Sequence, residues 1–149
     1  DQLSVNEKKD QSTLIGLSFH HLGLAVKDDQ DALRMLGMLG YRMGERCYDP
    51  MQNVYVRLCH AMSHPTVEIV QPAEDGKGPL DAILASHNTM IYHTCYETQD
   101  LDLTLQSFKH FDLRCIRLSE RKPAVLFGGR HVSFYMIAGW GIVELLEVI

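Results

Sequence analysis

No apolar run in this chain of 149 residues approaches the roughly 20 residues that a membrane-spanning helix needs. The apolar stretch of a secretory signal peptide is also missing near the start of the sequence. Both absences exclude the usual sequence features of membrane and exported proteins. We therefore expect no membrane association and a cytoplasmic location.

Positive charge is scarce. The chain has 14 lysines and arginines against 19 aspartates and glutamates, which gives a net charge of −5. Proteins that bind nucleic acids need clustered Lys and Arg side chains to displace counterions from the phosphates. The composition therefore predicts no nucleic-acid partner. A small-molecule substrate is the expected partner, and a local cluster of cations could still hold an anionic one.

Paired cysteines are also missing, since none of the four cysteines forms a CxxC motif. This spacing excludes the common zinc-binding patterns that rest on cysteine pairs. Reduced, mostly buried thiols are the expected state, which agrees with a cytoplasmic protein. The four residues are Cys47, Cys59, Cys95 and Cys115.

Two stretches of the chain are similar to each other, and each contributes one histidine and one glutamate. His93 lies 72 positions after His21, and Glu144 lies 76 positions after Glu68. A short loop insertion accounts for the difference between the two offsets. An internal repeat determines the architecture of a fold, so we expect two structural copies with these side chains at equivalent places. The matched segments are His21–Val26 with His93–Thr98, and Val67–Val70 with Val143–Leu146.

The repeated side chains have the chemistry of metal ligands. Alternate residues of a strand point to one face, so donors on four strands converge when those faces line a single cavity. Glu68 and Glu144 each lie between apolar residues, where a buried carboxylate is costly unless it is paired or bound to metal. A solvent-facing position is the alternative for either glutamate alone. Their paired occurrence favours a divalent-metal site formed by His21, Glu68, His93 and Glu144.

Hydrophobic periodicity predicts the same order of elements in both copies, namely a strand, a helix and then two or three strands. Asp28 is a candidate N-cap for the first helix, and Gly40 is a candidate C-cap. The segment Phe127–Arg130 predicts a hairpin turn rather than a phosphate-binding loop, because no helix follows its glycines. The predicted fold class is α+β.

The predicted organisation is a single domain that follows a short tail. Residues 1–13 are polar and charged without periodicity, and they predict a disordered tail. Residues 14–149 form the domain. We expect the first repeat at 14–72, a connection at 73–89 and the second repeat at 90–149.

Several motifs resemble those of the vicinal oxygen chelate superfamily, which includes glyoxalase I, extradiol dioxygenases and bleomycin-resistance proteins. The resemblance extends over residues 20–149 and is closest to the methylmalonyl-CoA epimerases. It implies two βαβββ units that form a cupped, partly open sheet around a metal site. It also implies a homodimer. The resembling segments are His21–Asp28, Tyr92–Glu97 and Gly78–Leu84.

The resemblance implies roles for particular residues. The metal ligands would be His21, His93 and Glu144, with Glu68 at the fourth position. The ion would be Co, Ni, Mn or Zn, and the two glutamates would double as catalytic bases. Candidate substrate-binding residues are Arg57 and Arg130, which could hold an anionic group, and His131, which could point into the cup.

The resemblance leaves four functions open. The first is an epimerase or isomerase that removes a proton next to a carbonyl of an acyl thioester or similar compound. A glyoxalase I-like lyase acting on a thiol hemiacetal is the main alternative, since Glu68 also matches glyoxalase I. An extradiol-type dioxygenase is disfavoured because its iron site needs only three of the four metal ligands. A non-catalytic binding protein is disfavoured because such proteins usually lose the metal ligands, whereas this chain keeps all four. Tyr92 departs from the epimerases, which usually have a second histidine there.

Overall fold

The computed structural model describes residues 16–149, so the predicted tail at residues 1–13 lies outside the described part. The first half of the fold has one long strand, one helix and four further strands. These elements are β1 (Leu17–Val26), α1 (Gln30–Met38), β2 (Arg42–Met43), β3 (Cys47–Asp49), β4 (Val54–His60) and β5 (Val67–Pro72).

The second half repeats this order after a short connecting helix, α2 (Pro79–Ile83). Its elements are β6 (Thr89–Thr98), α3 (Leu101–His110), β7 (Cys115–Arg117), β8 (Lys122–Pro123), β9 (His131–Ile137) and β10 (Gly141–Glu147). A 3-10 turn at Val125–Phe127 lies between β8 and β9. No helix within residues 16–149 is long and apolar enough to cross a membrane.

Residues 16–149 form one sheet whose main strand order is β2-β4-β5-β1-β6-β10-β9-β7. This order is symmetrical about the antiparallel β1–β6 pair, because each strand of the first half has its counterpart at the mirrored place. The short strands β3 and β8 are also equivalent, pairing with β4 and β9 respectively. The sheet is open, since β2 and β7 end the order at opposite edges. The α+β class and the two-repeat cupped sheet are thus confirmed.

Helices α1 and α3 cover one face of the sheet. Leu36 of α1 packs in a buried cluster with Val26, Cys59 and Ile69, and Phe108 of α3 packs equivalently in the second half. Burying these apolar faces supplies most of the free energy that holds each helix on the sheet. The opposite face forms the concave side of the cup, where Leu80 of α2 packs against Val56 and Val70.

Helix α1 ends as predicted but begins differently. Gly40 has a φ of +87°, and the Tyr41 amide donates to the Leu36 carbonyl at 3.0 Å, so the glycine terminates the helix in a Schellman motif. At the other end, the Asp28 side chain accepts a hydrogen bond from the Gln30 amide at 2.8 Å. Asp28 therefore accepts from the backbone amide of the first helical residue, while its neighbour Asp29 occupies the N-cap position.

The glycine pair after the 3-10 turn forms the predicted connection between strands. Gly128 and Gly129 both have positive φ, at +62° and +79°, and the antiparallel strands β8 and β9 flank the segment. The Arg130 amide donates to the Phe127 carbonyl at 3.1 Å, which closes the turn. The segment is thus a turn that leads into β9.

Candidate metal centre

The four repeated side chains lie on the four central strands of the sheet, on its concave face. His21 and His93 come from the antiparallel pair β1 and β6, while Glu68 and Glu144 come from the flanking strands β5 and β10. All four are buried, with at most 6% of any residue exposed. The repeat therefore gathers two imidazoles and two carboxylates at the centre of the cup.

The strand register explains why the two halves deliver their side chains symmetrically. Glu68 lies opposite Gly23 in the parallel β1–β5 pair, and Glu144 lies opposite Cys95 in the parallel β6–β10 pair. Gly23 and Cys95 each follow the histidine of their own repeat by two residues. Since a strand has a period of two, each glutamate shares a face with its histidine.

The donor atoms converge closely. The Nε2 atoms of His21 and His93 are 3.3 Å apart, and Oε1 of Glu144 lies 3.1 Å and 3.3 Å from them. Oε1 of Glu68 is slightly farther, at 3.7 Å and 3.8 Å from the same two nitrogens. Four ligands about 2.0–2.2 Å from a tetrahedral ion are spaced by roughly 3.3–3.6 Å, so these separations fit one metal ion.

Unsatisfied polar atoms give an independent indication that a cation fits here. Oε1 of Glu144 is buried and has no hydrogen-bond partner among the described residues, although it points at both imidazoles. A buried carboxylate oxygen without a partner is costly, and a divalent cation would remove that cost. The four residues form a group whose donor atoms all lie within 4.8 Å of one another.

Gly23 makes room for one of the histidines. A Cβ atom at this position would lie only 2.1 Å from Cε1 and 2.3 Å from Nδ1 of His93, so the imidazole lies directly against the glycine backbone. Cys95, the repeat equivalent of Gly23, carries a side chain. Only the first repeat therefore needs a glycine at this place.

Replacing Gly23 with alanine should push the His93 ring out of the cluster. Loss of a residue that only supports a metal ligand typically lowers metal affinity by about 10–100-fold. Here the ligand itself is displaced, so we expect metal affinity to fall by at least that factor. The measurement is calorimetric titration with Zn²⁺. Gly37→Ala is the control, since its added Cβ would meet only Cε of Met43 at 4.0 Å. Equal affinity for wild type and Gly23→Ala would show that His93 is not a ligand.

The carboxylates change the acidity of the cluster. Burial disfavours the charged form of His21, but the closely placed carboxylates of Glu144 and Glu68 outweigh it and raise the pKa of His21 to about 9. Burial acts against ionisation of Glu144 as well, yet the His93 charge and the close approach of both imidazoles lower the pKa of its carboxyl well below the usual range. The cluster thus strongly attracts positive charge, as a proton or as a metal ion.

Metal uptake should therefore release a proton from His21. A metal ion needs the neutral imidazole, whereas a pKa of about 9 keeps His21 protonated at pH 7 in the metal-free protein. We expect nearly one proton released from His21 per ion at pH 7, with the release disappearing above about pH 10. Calorimetry in two buffers of different ionisation enthalpy counts these protons. Uptake without proton release at pH 7 would contradict the raised pKa.

The proton on His21 should also make the stability of the metal-free protein depend on pH. Its folded-state pKa of about 9 lies above the unfolded value of 6.5, so the stabilisation is complete below pH 6.5 and disappears as the pH rises through 9. Urea unfolding of chelator-treated protein between pH 6 and 10 measures this change. The same series with saturating Zn²⁺ is the control, because the ion replaces the proton.

The other predicted site residues lie away from the cluster. Arg57 pairs with Ile69 in the β4–β5 register, next to the Leu58–Glu68 pair, so its side chain is on the helix-covered face. There its guanidinium donates to the Gly44 carbonyl at 3.1 Å and lies 3.8 Å from Asp29. This position does not support the predicted substrate contact.

Arg130 and His131 are also not brought to the cluster. Arg130 donates to the Glu97 carboxylate and to the Glu147 carbonyl, both at 2.8 Å, so its guanidinium already has partners. His131 is three residues before Phe134, which pairs with Glu144. It therefore lies on the helix-covered face, because alternate residues face opposite sides.

The concave face has two cavities that the sequence did not reveal, and the smaller one is lined by cluster residues. A space of about 10 Å³ lies beside Glu68 and Glu144, which is about the room that one water molecule needs. A larger cavity of about 360 Å³ has mainly apolar walls, including Val54, Leu80 and Phe134. Gln52 and Tyr92 line both cavities and form the boundary between them. The concave face therefore offers room for a small organic molecule, with Gln52 and Tyr92 between this room and the space next to the cluster.

Cys95 lies next to the cluster but is not suited to act as a fifth ligand in its resting state. Burial, together with the Glu144 and Glu68 charges, raises the pKa of the Cys95 thiol far above its usual range. The thiolate is the form that binds metal, so the group stays an uncharged thiol beside the carboxylates.

The chain is similar to known proteins both in sequence and in fold. Residues 20–134 match the family model of the Glyoxalase/Bleomycin resistance protein/Dioxygenase superfamily. No curated protein matches the sequence. Many solved structures are similar. One is methylmalonyl-CoA epimerase from Mycobacterium tuberculosis, at 18% identity, a TM-score of 0.69, and coverage of 87% of this chain and 86% of that chain.

Two further structures show the same fold. A hypothetical protein from Bacillus halodurans has 19% identity and a TM-score of 0.73, with 89% of this chain and 95% of that chain covered. A variant of Streptomyces coelicolor methylmalonyl-CoA epimerase, in complex with 2-nitronate-propionyl-CoA, has 16% identity and a TM-score of 0.66. That likeness covers 87% of this chain and 95% of the other. At such identities the similarity establishes a shared fold.

Proposed function

Because this chain belongs to the Glyoxalase/Bleomycin resistance protein/Dioxygenase superfamily, we propose that it is a metal-dependent epimerase or isomerase. It removes a proton from a carbon next to a carbonyl group. The observation that carries this proposal is the cluster of His21, Glu68, His93 and Glu144, whose donor atoms lie within 4.8 Å of one another at the bottom of the cup. The ion we expect is Co, Ni, Mn or Zn, which accept nitrogen and oxygen donors.

The carboxylates have two tasks in this proposal. Held by the two histidines and two glutamates, a divalent ion would act as a Lewis acid for negative charge that develops on a substrate oxygen. Glu144 lies nearer to both histidines than Glu68 does, which supports Glu144 as the firmer ligand. Glu68 is correspondingly freer to accept the proton from the substrate carbon at one of its carboxylate oxygens.

The strand order supports a reaction with two bases. Glu68 on β5 and Glu144 on β10 flank the β1–β6 pair from opposite sides, so their carboxylates approach the cluster from opposite directions. One can remove a proton from one face of a planar carbon while the other returns a proton to the opposite face, which inverts the centre. The lowered pKa of Glu144 makes its carboxylate a weak base and, when protonated, a strong proton donor.

The apolar cavity supports a thioester or similar carbonyl compound as the substrate. Its volume of about 360 Å³ accommodates a small acyl group, and its boundary residues Gln52 and Tyr92 also line the space beside the carboxylates. Relatives of the same fold carry acyl-CoA ligands, one of them methylmalonyl-CoA. A carboxylated acyl thioester is therefore the substrate class we propose. A homodimer and a cytoplasmic location stay predictions.

A glyoxalase I-like lyase is the second candidate function. Glutamate at the fourth ligand position is shared with glyoxalase I, and Tyr92 replaces the histidine that epimerases usually have before the second ligand. Such a lyase would also move a proton next to a carbonyl, but on a thiol hemiacetal formed from a 2-oxoaldehyde. The two candidates therefore differ in substrate more than in the chemistry of the cluster.

Solvent exchange separates the two functions. The metal-loaded protein is incubated in D₂O with a panel of acyl-CoA esters and, separately, with 2-oxoaldehyde–thiol adducts. The proposal predicts deuterium at the carbon next to the thioester carbonyl of at least one ester, and loss of this exchange with a chelator. Conversion of the adducts alone would favour the lyase. No exchange or conversion with any compound would contradict both enzymatic functions.

A further inference from the structure

His20 lies against the side of His21 that faces away from the cluster. The Nδ1 atoms of the two imidazoles are 2.8 Å apart, which is within the range of a hydrogen bond between nitrogens. A β-bulge allows this contact. The β1–β6 pairing shifts register between Phe19 and His21, so His20 is the extra residue and leaves the normal alternation of faces.

The contact determines which nitrogen of His21 carries a proton. His21 points Nε2 at the cluster, so Nε2 must present a lone pair to a metal ion and Nδ1 must carry the hydrogen. That hydrogen can only be donated to an acceptor, and the Nδ1 atom of His20 is in place to accept it. A ligand imidazole whose other N–H is held in this way keeps both its tautomer and its ring orientation.

Packing holds His20 in position for this role. Phe127 makes an edge contact with the His20 ring at 5.2 Å between centroids and stacks on the His21 ring at 5.5 Å. The two histidine rings meet nearly at right angles, with an interplanar angle of 77°. One aromatic side chain from the 3-10 turn therefore fixes both partners of the hydrogen bond.

The second repeat lacks this support. Tyr92 is the equivalent of His20, lies 72 positions later and is also the extra residue of a register shift, between Gly23 and Leu24. Its ring packs edge-on against His93 at 4.4 Å, but Nδ1 of His93 is buried with no hydrogen-bond partner among the described residues. The repeat symmetry of the ligands is therefore broken in the residues that surround them.

We propose that His20 is a positioning residue for His21, accepting the Nδ1 hydrogen so that Nε2 is directed at the metal. The inference rests on the metal site of the proposed function. It assigns the two histidine ligands unequal support, with His21 the firmly oriented one and His93 held by packing against Gly23.

A second metal site is the competing explanation for this contact, because His20, His21 and Cys95 also place three donor atoms close together. The distance of 2.8 Å favours the hydrogen bond. Two nitrogen ligands about 2.0–2.1 Å from a tetrahedral ion would be roughly 3.3–3.4 Å apart. The same Nδ1 atom of His21 cannot both donate a hydrogen and bind an ion.

The test compares Zn²⁺ affinity and stoichiometry in three variants of the full chain. His20→Phe keeps an aromatic ring against Phe127 but removes the acceptor, and loss of such a partner typically costs about 10–100-fold in metal affinity. His20→Asn places an amide oxygen near the former Nδ1 position and should restore most of the loss. His110→Phe makes the same replacement at an exposed residue of α3 outside the cluster, and this control should bind Zn²⁺ like the wild type.

Imidazole ¹⁵N NMR of the Zn²⁺-loaded protein gives a readout that a purely structural role would not change. The wild type should show a protonated Nδ1 on His21 that exchanges slowly with solvent, and His20→Phe should show fast exchange at that nitrogen while His93 is unchanged. Wild-type Zn²⁺ affinity in His20→Phe would overturn the inference. It would also be overturned if the wild-type chain bound two ions and His20→Phe bound one, because that result would show a second metal site. Failure of the wild type to bind Zn²⁺ would overturn the metal site itself, and with it the role of His20.

Discussion

Replacing Glu144 with glutamine should weaken Zn²⁺ binding by more than about 100-fold, because losing a group that merely supports a ligand already costs roughly 10–100-fold. Oε1 of Glu144 is the carboxylate oxygen closest to both imidazoles, at 3.1 Å and 3.3 Å, and it has no other partner among the described residues. Glutamine keeps the shape of the side chain but removes its charge. Competition titration against a chromogenic chelator measures the change.

The matched control is Glu147→Gln, which alters a carboxylate on the same strand β10. Glu147 is bound by Arg121 at 2.7 Å and 2.9 Å and does not belong to the cluster. We expect its variant to bind Zn²⁺ like the wild type. Thermal unfolding of both metal-free variants checks that the fold is retained. Wild-type affinity in folded Glu144→Gln would remove Glu144 from the ligand set.

Replacing Glu68 with glutamine should slow deuterium exchange from one enantiomer of the substrate by about 10²–10⁴-fold, the usual cost of removing a general base. Exchange from the other enantiomer should slow far less, since each carboxylate reaches only one face of the planar carbon. Glu68 lies 3.7–3.8 Å from the imidazole nitrogens, farther than Glu144 does, so much of the metal affinity should remain. Assays at saturating metal separate the two effects.

The ratio between enantiomers is the diagnostic quantity in this experiment. Glu144→Gln, measured with enough metal to fill the site, should show the opposite preference. A lyase specific for thiol hemiacetals would catalyse no deuterium exchange into either enantiomer of the thioester. Equal slowing of both enantiomers by both substitutions, with metal retained, would contradict the two-base assignment but not the metal centre.

The cluster could be predicted from the sequence because its geometry depends only on the repeat. Similar offsets, 72 for the histidines and 76 for the glutamates, place His21 and His93 on equivalent strands, and the parallel register carries Glu68 and Glu144 to equivalent places. A four-residue difference in loops does not alter either register. The fold class and the general order of elements follow from the same pattern.

The substrate residues could not be predicted in this way, because an offset does not tell which face of the sheet a residue occupies. Leu58 pairs with Glu68 and shares its face of the sheet. Arg57 is the preceding residue, so its side chain lies on the opposite face, near Asp29 at the start of α1. The two bulges were also hidden, since a register shift leaves no mark on the pattern of apolar residues. His20 and Tyr92 could be found only by aligning the repeats one residue before each ligand.

Anomalous diffraction from crystals of the protein grown with Zn²⁺ or Co²⁺ tests the central claim most directly. The structure predicts one strong peak per chain on the concave face, about 2.0–2.3 Å from Nε2 of His21, Nε2 of His93 and Oε1 of Glu144, with Glu68 completing the shell. The donor atoms already lie within 4.8 Å of one another, so little movement is needed. A peak elsewhere, or none at saturating metal, would contradict the metal centre and the function built on it.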